Sequence, residues 1–293
     1  MHGAQASLLP DNRRLHLHHG PIDLIVEAFG SGRDEAYQRA TSRFMTVLDE
    51  VVAELPELRA RGHRNGKFSG SIARRMQAAI APHCDQFVTP MAAVAGAVAD
   101  DILQHICDGH GMPKAYVNNG GDIAFHLMPG QHMTAALASV PGGRATLQSS
   151  DHNRGIATSG WRGRSFSLGI ADSVTVIANN AASADVAATM IANAVNLPDC
   201  PAIERTPASD LSPDSDLGEI PVTTAVGTLT DDQVRQALSG GKTVAANLLG
   251  RGLIGAACIQ LGDVVEQVGS LEREQLFPAM PNPEFSSRNL TNV

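Results

Sequence analysis

The chain is predicted to be an α+β protein with a mainly antiparallel sheet and helices packed on it. Three observations predict this. Arg13 to His18 alternates as RLHLHH, and Ile22 to Phe29 continues as IDLIVEAF across His19-Gly20-Pro21, the pattern of a β-hairpin. Lys114 to Leu127 is strand-like on both sides of Gly120-Gly121, a second hairpin or a place where the backbone approaches a ligand closely. Between them, Asp34 to Leu55 places Tyr37, Ala40, Phe44, Val47, Leu48, Val51 and Val52 at helical spacing. Hydrophobic residues make up 43% and charged residues 18%, which suits a folded chain; aromatics are only 4%, so Ala, Val, Ile and Leu must build the core.

In the first hairpin, His16 and His18 share a strand face, with no further metal ligand in view, and read as solvated. Pro56 marks the end of the long helix, and residues 57–68 read as a basic surface loop. Ser69 or Ser71 is the expected cap of a helix over Ile72 to Ile80. Pro90 opens a run whose small residues, Ala92, Ala93, Ala95, Gly96, Ala97 and Ala99, permit close backbone approach. Strands are expected over Met133 to Ala138 and Arg144 to Ser149, around a turn at Pro141-Gly142-Gly143.

Gly155 to Asn196 is the stretch around which the rest is organised. A small-residue turn, Thr158-Ser159-Gly160, is followed by a strand, Ser173 to Ala178, and a helix from about Ala184 to Val195. Asp185 falls in the expected first turn of that helix, and Thr189 four residues later shares its face. This carboxylate and hydroxyl offer hard oxygens to Mg²⁺ or Ca²⁺; equally, Asp185 is a helix cap and Thr189 bonds back to its own backbone.

Pro198 to Gly218 reads as a linker or long surface loop that divides a single unit over 1–270 into two lobes, if it divides it at all. Ile220 to Val226 is a strand, Asp231 to Leu238 a helix capped by Thr230, Lys242 to Leu249 a helix-like run, and Leu253 to Leu261 an apolar run. Residues 271–293 read as a tail.

Net charge of −8 argues against nucleic acid as the main partner. Cys84, Cys107, Cys200 and Cys258 are scattered without a zinc-ligand spacing, and suit a reducing cytoplasm. No signal peptide is expected from the N-terminal residues. The longest uncharged apolar run, Phe87 to Ala99, is thirteen residues, too short to span a bilayer. Gly241-Lys242-Thr243 is not a P-loop, because Gln236 stands where its first glycine belongs.

Three segments in order resemble the ApbE-type flavin transferase superfamily. Met91 to Asp101 parallels its G-G-I-A-K-G-Y-A-V-D run. Asn118 to Ile123 matches N-x-G-G-D-I. Thr158-Ser159-Gly160, Val174-Thr175-Val176 and Ala184-Asp185 with Thr189 match T-S-G, the V-T-V strand and the A-D-A-x-x-T helix start. The closer resemblance is to a related cytoplasmic family whose function is not established, carried by Pro90 to Asp100 and by Ser167 to Asp172 and covering most of residues 10–265.

The resemblance implies an ApbE-like fold and a Mg²⁺-assisted site for a flavin- or nucleotide-like phosphorylated ligand such as FAD or FMN. Asp185 and Thr189 would hold the metal. Asn118, Gly120, Gly121, Asp122, Thr158, Ser159 and Gly160 would border the ligand. Arg162 and Arg164 are candidate phosphate contacts, and Asp172 is a candidate replacement acid or base. The sequence departs from the transferases in two places: Gly96 stands where they carry lysine, and Trp161 to Asp172 replaces their H-I-x-D-P-x-T-G segment. Two functions follow, an enzyme of the transferase type or a non-catalytic binding protein that kept the fold. Abundant Ala and Gly on predicted helices would permit a homo-oligomer.

Overall fold

The computed structural model describes residues 3–109, 111–137 and 143–269. In chain order the strands are β1 (Gln5–Leu8), β2 (Leu15–His19), β3 (Ile22–Phe29), β4 (Lys114–Asn119), β5 (Asp122–Leu127), β6 (His132–Ala136), β7 (Arg144–Gln148), β8 (Gly155–Ser159), β9 (Ser173–Ala178), β10 (Ile203–Pro207), β11 (Pro221–Val226), β12 (Ala256–Leu261) and β13 (Val264–Gly269). The helices are α1 (Arg33–Ala53), α2 (Leu55–Arg59), α3 (Ser71–Ile80), α4 (Val94–Cys107), α5 (Ala181–Ala194), α6 (Ala208–Leu211) and α7 (Asp231–Gly250). Nine strands form one sheet in the order β1-β2-β3-β4-β5-β8-β9-β12-β13, and every neighbouring pair is antiparallel. The α+β architecture expected from the sequence is the observed one.

Helices α4 and α5 lie side by side on one face of this sheet. The β6–β7 ribbon covers part of the other face, so β9 is buried along its whole length, Ser173 and Thr175 included. Val176 and Ala257 belong to the helix-side core, while their neighbours Ile177 and Cys258 belong to the ribbon-side core, as period-two alternation requires. Helix α5 joins two cores. Ala181, Val186 and Met190 pack with α1, α3 and α4, while Ala184, Ala187, Ala188 and Ile191 pack with β8, β9, β12 and α7.

Several local readings change in the fold. Helix α5 begins at Ala181 rather than Ala184, because the side chain of Asn180 accepts the Ser183 N–H at 2.8 Å and caps it. Thr158 and Ser159 are not a turn but the end of β8, held in register with Thr175 and Val174. Neither Ser69 nor Ser71 caps α3. Glu54 takes the N–H groups of Ser69 and Gly70, and Glu50 takes that of Ile72, so α1 supplies the cap. The two expected runs at 231–249 are one helix, α7, continuous through Gly240-Gly241. A β-carbon at Gly240 would lie 2.3 Å from the Ala194 carbonyl oxygen, so these glycines mark close packing against the end of α5. The stretch 198–218 carries β10 and α6, and β10 pairs with β11. Ala138, Pro141, Gly142 and residues 270–293 lie outside the described residues, as do the tail and part of the turn read there. Among the described residues, no helix is long and apolar enough to cross a membrane.

Candidate functional site

The site forms where the α4 N-terminus, the α5 N-terminus, the β4–β5 turn and the end of β8 meet. Two aspartates tie the helices together. Asp100, on α4, accepts the N–H groups of Ala181 and Ala182 at 3.0 and 2.9 Å and so occupies the start of α5. Asp185, on α5, accepts the Gly96 N–H at 3.0 Å at the start of α4. Each helix thus places a carboxylate at the positive end of the other. Asp185 is a cap, but of α4 rather than of its own helix, and it lies beyond the first turn of α5.

This crossing requires Gly96. A β-carbon there would stand 2.3 Å from the Ala181 carbonyl oxygen and 2.6 Å from the Ala182 nitrogen. No side chain fits, so the lysine that the transferases carry at this point has no room here.

Asp122 opens β5 and is buried. Its Oδ1 accepts the Thr158 N–H at 3.2 Å, which joins the β4–β5 turn to β8. Burial raises the pKa values of Asp122 and Asp185, and the mutual repulsion of the two carboxylates raises that of Asp185 further. Asp185 keeps a sliver of accessible surface while protein surrounds it. Neither aspartate has a salt bridge among the described residues. Asp100 is also raised, to about 6, because burial outweighs its two backbone hydrogen bonds.

The turn itself is a two-residue hairpin loop. Asn119 pairs with Asp122, and Gly120 and Gly121 both have positive φ, +66° and +117°. Asn118 Oδ1 accepts the Gly121 N–H at 2.8 Å, and Asn119 Nδ2 donates to the Ala95 carbonyl at 3.1 Å. Asn118 is therefore committed to the turn. A β-carbon on Gly121 would meet nothing within 4 Å, so that position is open to close approach. Gly120 is covered instead by the Arg164 guanidinium. Thr158 Oγ1 lies 2.9 Å from Thr175 Oγ1. Gly160 serves the return of the chain. A β-carbon on it would lie 2.4 Å from the Asp172 carbonyl oxygen, and the Trp161 N–H bonds to the Ala171 carbonyl. Thr189 stands one turn after Asp185 on α5, half-buried.

The two loop arginines part ways. Arg162 Nε donates to Asp172 Oδ1 at 2.6 Å and lies over the Trp161 ring at 4.6 Å. Asp172 also accepts from Trp161 Nε1 and from the Gly262 N–H. Three donors thus engage this carboxylate. Asp101, adjacent to Asp100, points the other way and is 1% exposed. It pairs with Arg43 at 2.6 Å and accepts from Ser71 Oγ at 2.8 Å. Two clefts of about 610 and 660 Å³ run along α1, lined by ion-paired and helix-capping side chains such as Arg43, Glu50, Glu54 and Arg39; neither contains Asp122, Asp185 or Thr158.

Of the residues read from the sequence as metal and ligand groups, Asp122 and Thr158 are joined by a hydrogen bond and Asp185 lies near enough to Asp122 to feel its charge, while Asn118 holds the Gly120-Gly121 turn and Gly160 the return of the chain. Sequence reasoning missed Asp100 and Asn119. Asp100 carried a signal in ending an apolar run, but its partner lies 81 residues away. Among the described residues no three of His, Cys, Asp and Glu come together as a metal cluster. Two carboxylates and a hydroxyl do suit Mg²⁺, which usually keeps several waters and takes one or two carboxylates together with substrate phosphates.

This fold is α+β, a mainly antiparallel sheet with helices packed on it. A family model described as AbpE bacteria matches residues 6–272, and the chain belongs to that family. A UPF0280 protein of Methanothermobacter thermautotrophicus is 35% identical over 168 residues, 56% of this chain and 58% of that one. A UPF0280 protein of Methanococcoides burtonii is 39% identical over 115 residues, 38% of this chain and 47% of that one. The matched regions thus span about half the length of these relatives. Among solved structures, the flavin transferase ApbE from Vibrio cholerae aligns over 88% of this chain and 97% of its own, with 13% identity and a TM-score of 0.48. The ApbE protein of Thermotoga maritima aligns over 90% and 97%, with 12% identity and a TM-score of 0.46.

Proposed function

We propose that this protein binds a flavin- or nucleotide-like phosphorylated ligand, FAD or FMN in the first instance, with the help of Mg²⁺ at Asp185 and Thr189. The observation that carries this reading is the pair Asp122 and Asp185: one buried carboxylate and one half-buried, near enough that Asp122 raises the pKa of Asp185, with no cationic side chain bonded to either among the described residues. A divalent cation would relieve that repulsion and meet ligand phosphate on its open side. The cation would supply charge neutralisation at phosphate. Asp185 and Thr189 would hold it, Asp122 would face it, and the open turn at Gly121 with Thr158 and Ser159 would border the ligand.

Within this reading, binding without turnover is favoured over FMN transfer. No side chain at the junction is an evident nucleophile. Asp172, the candidate acid or base, is held by Arg162, Trp161 and Gly262. Gly96 leaves no room for the transferases' lysine. An acceptor protein supplying the nucleophile would restore a transfer role.

The test is a thermal-shift series with FAD, FMN and ADP, with and without Mg²⁺, on wild type and Asp185→Ala. A ligand at a hundred times its Kd stabilises the native state by about 2.7 kcal/mol. A Mg²⁺-dependent shift that disappears in Asp185→Ala supports the site and justifies a transfer assay. No shift with any flavin or nucleotide sinks it.

A further inference from the structure

We propose that Arg164, seated on the bare face of Gly120, is the residue that reads the ligand's phosphate and makes the site select anionic ligands over their uncharged analogues. This rests on the reading of the junction as a site for a phosphorylated ligand. The argument is one of elimination among donors.

A small-residue turn ordinarily meets an anion with its backbone N–H groups. Here three of the nearby groups are engaged. The Gly121 N–H goes to Asn118 Oδ1 at 2.8 Å, the Thr158 N–H to Asp122 Oδ1 at 3.2 Å, and the Gly96 N–H to Asp185 Oδ2 at 3.0 Å. The helix start at α5 is filled by Asp100 and Asn180. Arg162 is bonded to Asp172 and stacked on Trp161. Arg164 alone of the loop cations is uncommitted: among the described residues it makes no hydrogen bond and no salt bridge, and it is exposed.

Its position is nevertheless defined. A β-carbon built on Gly120 would lie 2.5 Å from Arg164 Nη2 and 3.4 Å from Cζ, so the guanidinium rests against the glycine backbone in the space a side chain would fill. Gly120 therefore has two reasons to be glycine, its φ of +66° and the plane of Arg164. The guanidinium is close enough to Asp122 to favour its charged form, which places a cation beside the acid pair without bonding to it. Gly121 next to it is open. A planar, permanently charged fork at the rim of an acidic site matches a phosphate bidentately, which a lysine does not. The anion it would take is a phosphate monoester or pyrophosphate, bridging Arg164 and the cation at Asp185.

The experiment is titration calorimetry with FMN, riboflavin and inorganic pyrophosphate, with Mg²⁺ and with EDTA. The proteins are wild type, Arg164→Gln, Arg164→Lys, Gly120→Ala and Arg162→Gln, each checked for folding by thermal melting. Arg164→Gln should weaken FMN and pyrophosphate about tenfold or more and leave riboflavin unchanged. Arg164→Lys should recover part of the loss. Gly120→Ala should reproduce most of it by displacing the guanidinium with the charge intact. Arg162→Gln should stay within about twofold. Pyrophosphate binding to wild type that Arg164→Gln loses, with no flavin binding at all, would keep the Arg164 seat and overturn the flavin reading. Equal pyrophosphate affinity in wild type and Arg164→Gln, or none in wild type, would overturn the Arg164 assignment.

Discussion

Replacing Gly96 by alanine should destabilise this protein by about 3 kcal/mol, although the same change in an open helix stabilises by about 1 kcal/mol. The opposing terms come from the α4–α5 crossing. The new β-carbon would stand 2.3 Å from the Ala181 carbonyl oxygen and 2.4 Å from its carbon. These are backbone atoms of a helix start and cannot rotate away. Overpacking of this kind costs about 1–3 kcal/mol, and the upper end applies where backbone must move. Moving α5 away also weakens the hydrogen bond between Gly96 and Asp185, adding about 1 kcal/mol. Set against the helix-propensity gain, the sum is a loss of about 3 kcal/mol. In a chain of this length that lowers Tm by about 6–10 °C. Urea unfolding followed by far-UV circular dichroism measures it. Gly250→Ala is the control, because a β-carbon there meets nothing within 4 Å and the change should be neutral or mildly stabilising. If Gly96→Ala is as stable as wild type, the two helices do not cross at van der Waals contact and the reciprocal capping argument falls with them.

Asp100, Asp122 and Asp185 all have raised folded-state pKa values, so each favours the native state most below its unfolded pKa and loses that contribution as pH rises through the folded value. The metal-free protein should therefore lose the contributions of Asp100 and Asp122 as pH climbs from about 4 to about 7, with that of Asp185 also lost on raising the pH, and Mg²⁺ should restore part of the loss at pH 7 and above; melts across that range in EDTA and in Mg²⁺ check this. Asp185→Asn keeps an oxygen for the Gly96 N–H and removes the repulsion on Asp122, so it should melt higher than wild type in EDTA at pH 8 yet show no Mg²⁺ response. Arg43→Ala should cost about 3–5 kcal/mol in urea unfolding, because Asp101, 1% exposed, loses its closest cation. Thr230→Ala should cost about 1 kcal/mol in the same assay, since the threonine and Gln233 form a reciprocal capping box on α7.

The sequence carried the parts of the fold that depend on near neighbours. Alternation marked β2 and β3, the Gly120-Gly121 pair marked the β4–β5 turn, helical spacing marked α1, and Thr230 marked the start of α7. Each of these is a rule about residues a few positions apart. The readings that changed were those in which a local cue met a distant partner. The runs 231–238 and 242–249 are one helix whose Gly240-Gly241 forms a packing seam against the end of α5, and the capping expected of Ser69 or Ser71 is done by Glu50 of α1 and by Glu54 at its C-terminal end.

The candidate site shows the same division. By itself the sequence determined which residue types were available: Asp185 and Thr189 four apart on a helix, and an aspartate following a two-glycine turn. Tertiary structure alone decided what each does. Asp185 caps α4 only because α4 and α5 touch at Gly96, and Asp100 answers it from a position 81 residues from its partner. Arg162 and Arg164 are two positions apart in one loop and chemically identical, yet one is held by Asp172 and the other rests on Gly120. Charge and hydrogen-bonding capacity belong to the residue, whereas burial and the choice of partner belong to the packing, and it is burial and partner that turn a carboxylate into a cap, an ion pair or a site.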